Sequence, residues 1–229
     1  MNRSVRIEKP LPKQFNYAIM ERRQFLTRTI AASSLAGFAQ ACKKTGSSNG
    51  IDLGYGDTGL FNYAYALAQL QASFYIQVLT TPYSALVDEE LTFITDIRNH
   101  AIAHRGFYQK ITGIGAIPSL EFDFSIVNFS NRDSVLKTAK LFEDTIAGAY
   151  NGAAMLFSNG DNLLAAAKIA SVIARHAAYL RDITEYGSFV DDVIIDENGL
   201  EAFQLPDAVL ATLSPYIISK LDSSHLPTN

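Results

Sequence analysis

The sequence predicts an all-α fold: a four-helix bundle with a long crossover between helices two and three and a short C-terminal helix. Three observations predict it. Apolar residues recur at helical spacing over four long stretches. Two of those stretches, within Ser134–Arg181, are rich in alanine and glycine and meet at the tight turn Ser158-Asn159-Gly160-Asp161. The irregular stretch Ala116–Asn131 between the second helix and the third is too long for a tight turn, and can carry the chain from one end of a bundle to the other.

Residues 1–42 read as an export signal. Arg22 and Arg23, followed by Gln24-Phe25-Leu26, form a twin-arginine pattern, and a moderately apolar run continues from Ile30 to Ala41. That run is shorter than the roughly 20 apolar residues of a transmembrane helix. Cys42 closes it. Small residues before a single cysteine are similar to a bacterial lipoprotein processing site, which makes Cys42 the acylated residue and the new N-terminus. Ala39-Gln40-Ala41-Cys42 lacks the usual leucine three before the cysteine. Met20 opens a more ordinary signal peptide than Met1, so residues 1–19 are an over-extended start or a long n-region. The alternative is an amphipathic first helix of the domain, against which Ser33, Ser34, Gly37 and Gln40 argue. Cys42 is also the one cysteine of the chain, so no internal disulfide exists.

The chain carries 19 Lys and Arg against 23 Asp and Glu; seven of the former and two of the latter lie in residues 1–42. Residues 43–229 have 12 against 21, a net charge near −9. That excludes nucleic acid as a partner and excludes a polybasic membrane face. The expected membrane attachment is the lipid at Cys42, and the expected location is periplasmic.

Residues 43–56, polar and rich in Gly and Ser, read as a flexible tether. The helical domain is expected over residues 57–220, with residues 221–229 as a tail. The first helix, capped by Asp57 or Thr58, runs to about Leu79 on the stripe Leu60, Tyr63, Ala64, Leu67, Leu70, Phe74, Val78, and Thr80-Thr81-Pro82 ends it. The second spans roughly Ser84–Ile111, with Asp88, Glu89 and Glu90 near its start, where the helix dipole favours negative charge. Its inner stripe is Leu91, Ile94, Ile97, Ala101, His104, Phe107 and Ile111, and Gly113 and Gly115 stop it. Asp133 is expected to cap the third helix and Asp161 the fourth. The small residues of the third helix allow close helix approach or a groove. Phe122, Phe124 and Phe129 are read as clamping the crossover onto the bundle, with a binding patch as the alternative. Gly187–Phe203 reads as loop with a short strand at Val193-Ile194-Ile195; Pro206-Asp207 opens a last short helix that Pro215 ends or kinks.

Several segments together resemble the bacterial ferritin-like domain family, including desiccation-related members that are often exported. They are Leu67–Tyr75 (LAQLQASFY), Ile97–His104 (IRNHAIAH), Phe122-Asp123-Phe124, Glu143–Ala154 (EDTIAGAYNGAA), Ala174–Arg181 (ARHAAYLR) and the segment from Leu205-Pro206 to Ile217. The resemblance implies a di-iron site built from one Glu on each of two helices and a Glu-x-x-His pair on each of the other two. Its ligand positions fall on Ala68 and Gln71, on Ala101 with His104, on Glu143, and on Ile173 with His176. One carboxylate stands where four are expected, so the resemblance carries the fold without the charge that two iron ions need.

Two function classes are open to such a chain. In the first, no cofactor is bound, no catalytic residue is assigned, and the exported, lipid-anchored bundle has a structural or binding role in the cell envelope. Glu143 and the histidines then form a residual polar network with Gln71 and a tyrosine. In the second, His104, Glu143 and His176 hold a single iron or zinc ion. His100 and His104 share the spacing of a zincin motif without its Glu, since Ala101 comes directly after His100. His100 is therefore read as an edge residue paired with Asp96, and His225 as solvated. The tyrosines are read as amphipathic core. A monomer or homodimer is expected, with a protein or small-molecule ligand whose identity the sequence leaves open.

Overall fold

Helix α1 (Gly56–Thr80) lies deepest, buried along nearly its whole length. Leu60, Tyr63, Leu67, Leu70, Phe74 and Val78 recur at helical spacing and are all fully buried. The protein, seen as a computed structural model, is described over residues 50–83, 86–190 and 194–228. The twin-arginine pair Arg22–Arg23, Cys42 and residues 43–49 of the expected tether lie outside the described residues. Helix α2 (Asp88–Thr112) pairs lengthwise with α1, and α3 (Arg132–Ala154) with α4 (Gly160–Thr184); α1 meets α3 across the core. The short α5 (Pro206–Leu213) lies on α3. Over the described residues the chain is mostly helical, an all-α bundle.

Helices α3 and α4 start earlier than expected for one reason: in each the cap sits two residues before the expected aspartate. Asn131, in extended backbone, accepts the Ser134 amide at 2.8 Å and caps α3, while Asp133 lies in the first turn. Asn159 does the same for α4, accepting the amides of Asp161 and Asn162. A cap needs non-helical φ and ψ, which these asparagines have; the aspartates just after them complement the helix dipole instead. Neither Asp57 nor Thr58 caps α1, whose N-cap is Tyr55. Asp57 reaches across to the α3–α4 turn, accepting from the Ser158 amide and hydroxyl, the Asn159 amide and Asn162 Nδ2.

In α2 the buried stripe is Glu90, Ile94, Ile97, Ala101, His104 and Tyr108; Leu91, Phe107 and Ile111 are exposed. Tyr108 wins the inner position because its hydroxyl meets the Tyr150 hydroxyl of α3 at 2.8 Å inside the core. Val87 is extended, so the helix begins at Asp88 rather than near Ser84.

Two buried amides of α1 hold the crossover. Asn62 donates to Leu53 and Gly115 carbonyls and accepts the Ile117 amide; Gln69 accepts the Leu120 amide at 2.9 Å. Phe124 is buried edge-on to Phe74, and Phe129 packs beside it, as the clamp reading expected. The glycines of α3 serve a different purpose from the one expected. Gln204, in the segment leading into α5, crosses α3 there, its amide bonded to the Gly148 carbonyl at 2.8 Å. A β-carbon on residue 152 would sit 2.0 Å from the Gln204 carbonyl oxygen. Glycine is what lets this strap touch the helix backbone.

The loop before the strap is tied down by Arg181, which is buried. It bonds Asp144 at 2.8 Å and the Phe189 carbonyl at 3.0 Å, with Glu201 at 3.6 Å. Of the expected strand at 193–195, Val193 is outside the described residues and Ile195 makes a single bridge to Glu201. The two ends of the domain meet: Ile51–Asp52, from the expected tether, pairs in parallel with Leu221–Asp222, from the expected tail. His225 is not free in solvent. Its Nδ1 lies 3.0 Å from Asp52 and its ring stacks on Tyr55.

Candidate functional site

Each of the four long helices sends polar side chains toward one region of the bundle. Helix α1 supplies Gln71 and Tyr75, α2 supplies His100 and His104, α3 supplies Glu143 and α4 supplies His176. Glu143 is the anchor, with 0% of its surface exposed. Its Oε1 accepts from Gln71 Nε2 and from the Tyr75 hydroxyl, both at 2.9 Å. Both partners are donors, the kind an ionised carboxylate takes. Burial and the neighbouring carboxylate push the Tyr75 hydroxyl well above its ordinary range, so it stays a donor.

The other carboxylate oxygen faces His176 Nδ1 at 3.3 Å. That is ion-pair distance, but the ring N–H is off line, and neither atom has a hydrogen-bond partner. The second nitrogen of His176, Nε2, lies 2.9 Å from His100 Nδ1, with the two rings nearly parallel. His100 itself is exposed. The result is a continuous line from a buried carboxylate to a surface imidazole: Tyr75, Glu143, His176, His100.

His100 is thus placed otherwise than expected. It is not hydrogen-bonded to Asp96; its partner is His176, across the gap between α2 and α4. Burial first, then His176, lower its pKa, and Asp96 opposes that shift. The i, i+4 spacing of His100 and His104 signalled a shared face, and the two rings do stack at 6.3 Å. His104 is buried and its Nδ1 has no partner. Burial, then His176 and His100, lower its pKa to about 4, which keeps it neutral near pH 7. Of the expected trio, Glu143 and His176 meet, while His104 is hydrogen-bonded to neither. Among the described residues no group of three or more His, Cys, Asp or Glu is arranged to hold a metal ion.

Among the described residues, the small residues of α3 and α4 beside Tyr63 leave only a small void. The void beside Tyr63, lined by Leu67, Ala149, Ala153 and Ala166, measures about 10 Å³. That is the lower limit for one water molecule and far below an organic ligand. Tyr63 ends there with an unpartnered hydroxyl. A second buried polar cluster was not foreseen from the sequence. Glu90, at the start of α2, is held by Arg132 of α3 through Nε at 2.8 Å and through Nη2, and by the Tyr83 hydroxyl at 2.8 Å. A carboxylate in a first helical turn reads equally well as a dipole partner, so nothing in the sequence singled it out.

A search of curated proteins finds no match to this chain. The sequence model of the ferritin-like domain family matches residues 56–185, from the first residue of α1 to just past the end of α4. The matched stretch is more than half of the chain and contains every residue of the Glu143 cluster. Within it, Ala68, Gln71, Ala101, His104, Glu143, Ile173 and His176 are all buried, as positions facing a bundle centre must be. This chain belongs to the ferritin-like domain family.

Proposed function

We propose that this protein is an exported, lipid-anchored ferritin-like domain that has lost di-iron chemistry and serves a structural or binding role in the cell envelope. The observation that carries the reading is the occupancy of the seven buried centre positions. Two alanines, an isoleucine, a glutamine, two histidines and one glutamate stand there. A pair of iron ions needs several anionic oxygens, and this set offers one carboxylate, already held by Gln71 and Tyr75. The residues do not fit a di-iron pair, and no chemistry is routed through one. Support for a binding role comes from the surface. An open cleft of about 690 Å³ lies between α3 and the strap, lined by Met155, Leu200 and Phe203 among others.

Export and anchoring rest on Arg22, Arg23 and Cys42 alone. A periplasmic lipoprotein is the finer reading of that leader, and a desiccation-related member is the finer reading of the family resemblance. Substituting both arginines by lysine should leave precursor in the cytoplasm, and unchanged export would reject the twin-arginine route. Labelling with a radioactive fatty acid should mark Cys42 and fail in Cys42→Ser.

A second reading has its own support. His104 Nδ1, His176 Nδ1 and Glu143 Oε2 are buried without hydrogen-bond partners, and such atoms invite a ligand. That reading is a single iron or zinc ion held by His104, Glu143 and His176. Elemental analysis after loading with Fe(II) or Zn(II) and dialysis decides between the two. No retained metal is the expected result. Stoichiometric metal that is lost in His104→Ala and in His176→Ala would overturn the first reading.

A further inference from the structure

We propose that the open cleft at the C-terminal end of α4 binds a quaternary ammonium group, either free in solution or carried by a lipid headgroup. The cleft measures about 500 Å³ and is lined by Ala178, Tyr179, Asp182, Tyr186, Gly187 and Phe189. It shares no lining residue with the cleft beside the strap. Half of its lining is aromatic. Tyr186 is 97% exposed and Phe189 55%, so neither ring belongs to the core. Tyr179 is half-buried and packs on Phe93, with centroids 3.7 Å apart, which backs the third ring with a fourth. The face of an aromatic ring is negative and attracts a cation within about 6 Å of its centre.

The charge around these rings is negative. Asp182 stands in the lining, and its Oδ1 accepts the Gly187 amide at 2.8 Å, which holds the carboxylate in the turn that follows α4. The charged groups that act on the Tyr179 hydroxyl are carboxylates: burial first, then Glu89, Glu90 and Asp182, raise its pKa. Glu90 is answered by Arg132, which leaves Glu89 and Asp182. Helix α4 ends at Thr184, so the negative end of its dipole adds to the same field. Arg181, next to Asp182 in the chain, is buried and bound to Asp144 with Glu201 close by, so its charge is already balanced.

The lining also selects the kind of cation. A metal ion needs several oxygen ligands, and Asp182 is the one carboxylate among the lining residues. A primary ammonium brings three N–H groups, each needing an acceptor. A sugar needs donors as well as acceptors, and the Gly187 amide is already given to Asp182. A quaternary ammonium has no N–H to satisfy. Its charge is spread over methyl groups, which pack on aromatic faces while a carboxylate nearby balances the charge. No residue of the Glu143 cluster takes part, so failure of this proposal leaves the loss of di-iron chemistry untouched.

The test titrates the full chain, kept free of lipid by Cys42→Ser, with choline and with dimethylbutanol, the neutral isostere in which carbon replaces the nitrogen. Calorimetry should show saturable binding of choline, about fivefold or more tighter than the alcohol. Tyr186→Ala and Phe189→Ala should each weaken choline by about threefold to tenfold, with thermal unfolding unchanged because both rings are exposed. Asp182→Asn keeps an acceptor for the Gly187 amide and should bring choline down toward the alcohol. Phe203→Ala, which removes an exposed ring from the other cleft, should match the parent chain. Pelleting with phosphatidylcholine vesicles that free choline reverses assigns a lipid headgroup; choline binding without pelleting assigns a soluble ligand. No saturable binding of choline, equal affinity for choline and the alcohol, or undiminished affinity in both Tyr186→Ala and Phe189→Ala would each overturn the proposal.

Discussion

His176 Nε2 lies 2.9 Å from His100 Nδ1 while its other ring nitrogen faces Glu143, so one imidazole links a fully buried carboxylate to a ring at the surface. The cluster is therefore a set of mutually dependent groups, and its cost appears only when one member is removed without replacement.

Glu143 gives the first prediction. In Glu143→Gln the amide oxygen can still accept from Gln71 and Tyr75, and the amide nitrogen can donate to His176 Nδ1 when that nitrogen carries no hydrogen. In Glu143→Leu the Gln71 amide and the Tyr75 hydroxyl stay buried without their acceptor, and His176 keeps only its contact with His100. The leucine variant should lose about 2–4 kcal/mol of unfolding free energy and the glutamine variant less than about 1.5 kcal/mol. Urea titrations of both measure the gap. Equal losses would mean that the network contributes nothing beyond side-chain volume.

Gly152 gives the second. A methyl group there meets the Gln204 carbonyl oxygen at 2.0 Å, and backbone on both sides leaves little room to yield. Gly152→Ala should destabilise by about 1–3 kcal/mol and loosen the strap. Gly106, inside α2, has nothing within 4 Å of an added β-carbon. Gly106→Ala should stabilise by about 0.5–1 kcal/mol, the ordinary helix preference. Thermal unfolding of the pair checks both signs at once.

These two sites also separate what the sequence reveals from what it conceals. The four long helices and the crossover are visible because periodicity is a local signal that burial enforces: Leu60 to Val78 face inward as their spacing requires. The buried positions of Glu143, His104 and His176 are visible for the same reason. The strap is not, because nothing local says that Gln204 and Gly152 meet across 52 positions of chain. The His100–His176 contact is hidden likewise: the rotation of α2 against α4 decides it. Phe107 and Tyr108 competed for one inner position, and the partner hydroxyl of Tyr150, on a different helix, settled the choice.

Glu90 and Arg132 give the third prediction. Glu90 is buried and takes three donor groups, two from Arg132 and one from Tyr83. Arg132→Met leaves the carboxylate with Tyr83 alone and should cost about 2–4 kcal/mol; adding Glu90→Leu should recover part of that loss. A double-mutant cycle by urea denaturation reads the coupling. Simple addition of the two single costs would show that the pair is already solvated.

The fourth concerns pH and the Asp57 clamp between the start of α1 and the α3–α4 turn. Partial burial raises the Asp57 pKa, but hydrogen bonds from Ser158, Asn162 and Asn159 outweigh it, so the carboxyl is held below its ordinary range. A group whose folded pKa is depressed stabilises the fold at pH values above its unfolded pKa, about 3.9 for aspartate. The contribution is lost as pH falls through the folded value, where both states bind the proton. Asp57→Ala should therefore lie below wild type in stability by a constant amount from about pH 7 to pH 5, with the gap closing at more acid pH. Urea midpoints measured at steps from neutral to acid pH track the difference. A gap that stays constant into acid would show that the Asp57 carboxylate contributes by shape and not by charge.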